Sequence, residues 1–281
     1  MRRFRVFGFQ FDTTASHLGL EIKEEWDEAV KEQHRAVQAQ NEAMLAQRYG
    51  QDRWAAKRKN LIDIGGVLPM SIIAFHNRFM AQVRTAFVME AYYPALTGAC
   101  ALGERILNHL VLALREDFRA TPDYKRVYRK DSFDRWHVPI GVLENWGVLL
   151  PTVAAAFKTL EELRNRSIHF DPATDTNDRE LALEAVKLLD TIVVQQFGVL
   201  GKQPWFMGGV PGEVYISREA QDEPFVRRAY LPNCFEAGPR HWMEFKDGKW
   251  LAQDPEEYPA REVTDDEWRE MRLEFLQREP K

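Results

Sequence analysis

Arg164, Asn165 and His169 are the residues of this chain whose types and spacing best support chemistry. Asn165 and His169 are four apart, so on a helix they share one face, and Arg164 lies on the next face with a stem long enough to reach round. A guanidinium binds phosphate oxygens, an imidazole moves protons near neutral pH, and an amide orients what lies between them. Together they suit phosphodiester cleavage that needs neither a metal nor another cofactor. The bland alternative is an Arg164 that forms an ordinary salt bridge and a His169 that caps a helix end.

The surroundings place the three residues at the end of a helix. An apolar run through Val153, Ala156, Phe157, Leu160 and Leu163 marks the face of a helix reaching from about residue 143 to 169. Pro151 stands at the first turn of a fresh segment, giving two helices or one with a kink. Pro172 disfavours helical geometry at Asp171, so His169 falls on the last turn.

This pattern is similar to the signature of the HEPN superfamily: an Arg, a polar residue such as Asn, then a His after four to six intervening residues near a helix end. Arg164, Asn165 and His169 fit it. The resemblance implies a helical bundle and metal-independent endoribonuclease activity, in which the ribose 2′-hydroxyl attacks the neighbouring phosphate. His169 then assists proton transfer, Arg164 neutralises charge on the pentacoordinate transition state, and Asn165 orients His169 or a phosphate oxygen. HEPN proteins often carry a polar or acidic residue facing the groove from the preceding helix, and Glu104 is the candidate, with Arg105 beside it to pair with Glu104 or with substrate. The resemblance further implies RNA as partner, a homodimer that joins two motifs in a composite site, a toxin or phage-defence role, and an antitoxin or regulatory protein to hold it off. Many relatives are inactive, so the alternative implied function is a non-catalytic interaction, regulatory or nucleotide-binding module.

Composition bounds the partners. Net charge is −5 over 281 residues, which argues against indiscriminate coating of nucleic acid and leaves focal basic sites. Two clusters qualify: residues 53–59, and the set Lys125, Arg126, Arg129 and Lys130. With Arg105 and Arg166, the second set forms the candidate RNA-binding surface. The plainer account of either cluster is a solvated face. Two cysteines, Cys100 and Cys234, argue against a disulfide framework and allow no zinc site of ordinary spacing. With no apolar run near the roughly 18 residues of a membrane span and no signal-peptide pattern, a cytoplasmic protein without membrane contact is expected.

Taken in order, residues 3–11 read as a strand with alternating aromatic and polar side chains, and residues 21–49 as a long polar helix, so that 1–68 form an extension. Residues 69–198 form the HEPN-like bundle, with helices from about 69 to 90, from Pro94 to about 118, the motif helix, and 179 to 197. Residues 119–141 read as a loop with one helical turn. Residues 199–281 form a β-rich appendage with strands at 213–217, 225–231 and 241–245, completed by residues 3–11. Asp247-Gly248 signals a hairpin, and Thr264 with Glu267 a capping box for a terminal helix. The expected fold class is mainly α: a helical bundle with a small antiparallel β appendage near the C-terminus.

Overall fold

Apolar side chains cover most of the circumference of the helix at Tyr92–Leu114, and such a helix can only be stable surrounded by others. The computed structural model, which describes residues 1–8, 12–168, 176–255, 258 and 261–278, places it at the centre of a helical unit made of residues 10–197. In chain order this unit comprises α1 (Glu28–Tyr49), α2 (Trp54–Asp63), α3 (Ala74–Val88), α4 (Tyr92–Leu114), α5 (Tyr124–Val127), α6 (His137–Asn145), α7 (Pro151–Ile168) and α8 (Asp178–Phe197). Helix α4 packs on α3, α6, α7 and α8. Leu96, Ile106, Leu107 and Val111 of α4, Phe157 and Leu160 of α7, and Val186, Leu189 and Ile192 of α8 are all buried.

Local chemistry sets the helix ends. Pro94 sits in the first turn of α4 and Pro151 opens α7, positions where a missing N–H costs nothing. Gly147, at φ 68°, ends α6. Its N–H bonds to the Glu144 carbonyl and that of Val148 to the Leu143 carbonyl, both at 2.9 Å, which is a Schellman closure. The helix expected to start near residue 143 is therefore α6, which begins earlier, at His137, and stops before Gly147. Helix α3 starts at Ala74 rather than 69 because Ser71 and Asn77 bond each other reciprocally, Ser71 N–H to Asn77 Oδ1 at 2.7 Å and Asn77 Nδ2 to the Ser71 carbonyl at 2.9 Å. Helix α1 likewise starts later than expected, at Glu28.

The second unit comprises residues 1–9 and 198–281. Its sheet runs β2 (Phe206–Met207), β3 (Val214–Ile216), β1 (Arg3–Val6), β4 (Cys234–Ala237), all antiparallel. The N-terminal strand thus joins the C-terminal segments; Phe9 and Phe11 of the strand expected at 3–11 lie outside the described residues. The alternation along β1 does not sort polar from apolar, since Arg3 and Arg5 are buried together with Val6. Arg3 Nε binds Asp265 at 2.7 Å, and Arg5 Nη2 lies 3.1 Å from Glu213. Strands β5 (Trp242–Lys246) and β6 (Lys249–Gln253) form a separate two-stranded sheet rather than extending the first. Asp247 and Gly248 at its turn both have positive φ, 52° and 75°, as a type I′ turn requires.

Residues 225–231 are not a strand. Phe225, Val226, Ala229 and Tyr230 are buried and Arg227 and Arg228 exposed, a helical spacing, and the backbone forms a π-helical turn at Val226–Tyr230. The terminal helix α9 (Asp265–Arg278) opens with the capping box: Thr264 N–H bonds Glu267 Oε2 at 2.9 Å and Glu267 N–H bonds Thr264 Oγ1 at 3.2 Å.

Candidate active site

Arg164 stands in the penultimate turn of α7, directly after the buried Leu163, and its guanidinium extends toward α4. Glu104 meets it there: Arg164 Nη2 to Glu104 Oε2 is 3.1 Å, with the two side chains 21% and 34% exposed. Trp136, immediately before α6, completes the arrangement. Its indole is fully buried, its Nε1–H donates to the same Glu104 oxygen at 3.1 Å, and the Arg164 guanidinium lies over its ring, 5.7 Å from the centroid. A cation held by a carboxylate and an aromatic face has little freedom to wander, yet remains open to solvent on one side.

Gly103 makes room for the indole. A Cβ at this position would come within 2.9 Å of both Trp136 and Leu160, so only glycine lets the ring reach the carboxylate of Glu104. Beneath the site lies Cys100, buried and pushed up to about 12 by that burial, against the opposing Arg164 charge and a hydrogen bond with Ser167. It is a packing residue and not a thiolate nucleophile.

Of the other residues singled out, Asn165 is exposed, and its Oδ1 lies 3.5 Å from Arg164 Nη1, at the limit of a hydrogen bond. His169 lies outside the described residues. Arg105 is exposed, and its guanidinium sits over the Phe79 ring at 5.5 Å, toward α3 and away from the Arg164 pair. Arg166 is exposed in the last turn of α7. Lys125, Arg126, Arg129 and Lys130 are all exposed, on α5 and just after it. Arg126 pairs with Asp123 at 2.8 Å and Arg129 lies over Tyr128. Arg115 anchors the segment by bonding the Lys130 carbonyl at 2.7 Å.

The basic cluster at 53–59 is engaged within the fold. Arg53 pairs with Glu90, Arg58 with Glu42 and Lys59 with Asp63. Lys57 is buried, its Nζ bonded to the Tyr49 carbonyl and to Asp52. Sequence reasoning missed Trp136 and Gly103 as parts of the site, because nothing in either neighbourhood shows that an indole 32 positions from Glu104 bonds its carboxylate. Comparison with family models, with curated proteins and with solved structures finds no match to this chain.

Proposed function

We propose that this chain is a metal-independent endoribonuclease that cleaves RNA by internal attack of the ribose 2′-hydroxyl. The observation that carries the reading is the Arg164 guanidinium, held at the end of α7 by Glu104 and Trp136 with part of its surface open. A phosphodiester seated on Arg164 has its developing charge neutralised as O2′ bonds to phosphorus. His169 takes the 2′-hydroxyl proton, and the departing 5′-oxygen takes up a proton, leaving a 2′,3′-cyclic phosphate and a 5′-hydroxyl. Asn165 orients the imidazole or a phosphate oxygen. The exposed set Lys125, Arg126, Arg129 and Lys130 supplies further phosphate contacts.

One motif histidine per chain cannot serve as both acid and base, so a homodimer with two motifs in one cleft is the matching assembly. A cytoplasmic toxin or phage-defence effector, restrained by an antitoxin or regulator, is the biological role consistent with such an activity. Among the described residues no helix is long and apolar enough to cross a membrane.

A second reading has one observation in its favour. The Arg164–Glu104 pair already satisfies a guanidinium structurally, as in a non-catalytic interaction module. RNA incubated with the protein in EDTA separates the two. Arg164→Ala and His169→Ala are each expected to abolish cleavage, with the double variant scarcely worse, because groups that share one transition state are not additive. Unchanged cleavage by His169→Ala, or no cleavage by the wild type as monomer or dimer, removes the nuclease reading.

A further inference from the structure

The pairing of Arg164 raises the question of how it takes a phosphate at all. A carboxylate and a phosphodiester present the same kind of paired oxygens to a guanidinium, so Glu104 occupies the place a substrate phosphate would take. Two features make that occupancy reversible. The pair is partly exposed at 21% and 34%, so solvent reaches and screens it and can take up either partner on separation. Glu104 also has a second partner, the Trp136 Nε1–H, which donates to the same oxygen at 3.1 Å. A carboxylate left with no partner is costly, whereas one left with an indole donor and solvent is not.

We infer that Glu104 is a resident stand-in for phosphate on Arg164, parked on Trp136 when a phosphodiester displaces it. Glu104 is then a regulatory competitor at the site and not a catalytic residue, and Trp136 is its holder. The pair prevents Arg164 from capturing stray anions and admits a ligand that brings additional contacts. This rests on Arg164 being the phosphate-binding group of the proposed nuclease. It differs from a fixed support for Arg164 in the sign of one effect: removing the Glu104 charge strengthens anion binding instead of weakening it.

The test uses a fluorescein-labelled 2′-O-methyl oligoribonucleotide, which lacks the attacking hydroxyl, titrated into the full-length protein and read by anisotropy. Glu104→Gln retains an oxygen for the Trp136 N–H and is expected to bind at least two- to fivefold more tightly than wild type at equal salt, the range set by loss of a partly screened ion pair. In an Arg164→Ala background the same substitution should change nothing, which separates competition at Arg164 from a general loss of negative charge. The Trp136 indole N–H resonance, assigned by its loss in Trp136→Phe, should shift as the oligonucleotide saturates. Equal or weaker binding by Glu104→Gln, a gain that survives in Arg164→Ala, or an unmoved indole resonance overturns the inference while leaving the nuclease proposal standing. Wild-type affinity in Arg164→Ala removes the phosphate role of Arg164 itself, and the inference with it.

Discussion

Arg164 Nη2 and Glu104 Oε2 are 3.1 Å apart although the two residues belong to different helices, so their pairing reports how α4 packs on α7. Gly103, one residue before Glu104, sets that packing through Trp136. Gly103→Ala drives a methyl to 2.9 Å from Trp136 and Leu160 and should destabilise the protein by about 1–2 kcal/mol, overpacking outweighing the better helix propensity of alanine. Gly141 in α6 has no atom within 4 Å of where a Cβ would stand, so Gly141→Ala should stabilise by about 0.5–1 kcal/mol. Urea melts of the two variants read both signs, and a neutral Gly103→Ala counts against the packing.

The thiols should be silent. Burial pushes Cys100 and Cys234 each up to about 12, leaving almost no thiolate at pH 8. Native protein treated with Ellman's reagent at that pH should label the buried Cys100 only slowly, at a rate limited by opening of the fold, and two thiols should react at once in guanidinium. Rapid labelling of Cys100 under native conditions contradicts its burial.

Acid should loosen the β unit through His241. Its imidazole is fully buried, with Arg5 Nη1 at 2.7 Å, the Tyr215 hydroxyl at 3.3 Å, the Gly238 carbonyl at 2.8 Å, and Arg272 and Glu213 close by. Burial first, then the Arg272 charge, lowers it from 6.5 to about 4. A depressed histidine contributes stability that is present above the unfolded value of 6.5 and is lost as pH falls toward 4, amounting to roughly 3 kcal/mol at most. Glu213 is opposed by burial but held down to about 2 by hydrogen bonds from Arg272 and Tyr215 and by the Arg5 charge, so its contribution is lost later, from 4.5 toward 2. Unfolding free energies from pH 7 to 4 should fall less steeply in His241→Gln than in wild type. Equal slopes would mean that the fold leaves the imidazole near its unfolded value and that burial does not depress it.

The basic segment after α4 offers a separate test of RNA binding. Lys125, Arg126, Arg129 and Lys130 are exposed, and the Arg126–Asp123 pair is worth under about 1 kcal/mol at such exposure. Replacing all four by Gln should leave the melting temperature nearly unchanged. It should also flatten the salt dependence of RNA binding, by about one unit of slope for each phosphate that these side chains had neutralised. An unaltered slope makes the segment a solvated turn.

Much of this fold is determined locally and so can be read from sequence. Helical periodicity marked the buried faces of α4, α7 and α8, Pro151 the start of α7, Asp247-Gly248 the hairpin, and Thr264 with Glu267 the terminal cap, because each depends on neighbours within a turn. The mainly α class with an antiparallel β appendage follows from those elements. Where an apolar run was short, local pattern misled: residues 225–231 suit a strand by composition but bury a helical set.

Long-range contacts were decided by tertiary structure alone. Sequence places Arg164 at a helix end and the resemblance names Glu104 on the preceding helix, yet their pairing, with the indole of Trp136 admitted beside Gly103, was decided only by the packing of α4 on α7. Arg5 and Arg272 would pass as surface charges on composition, and they are buried because Glu213 lies between them, 3.1 Å from one and 2.7 Å from the other. A charge is tolerated inside a protein only when an opposite charge meets it there, and which residues meet is a property of the packed chain.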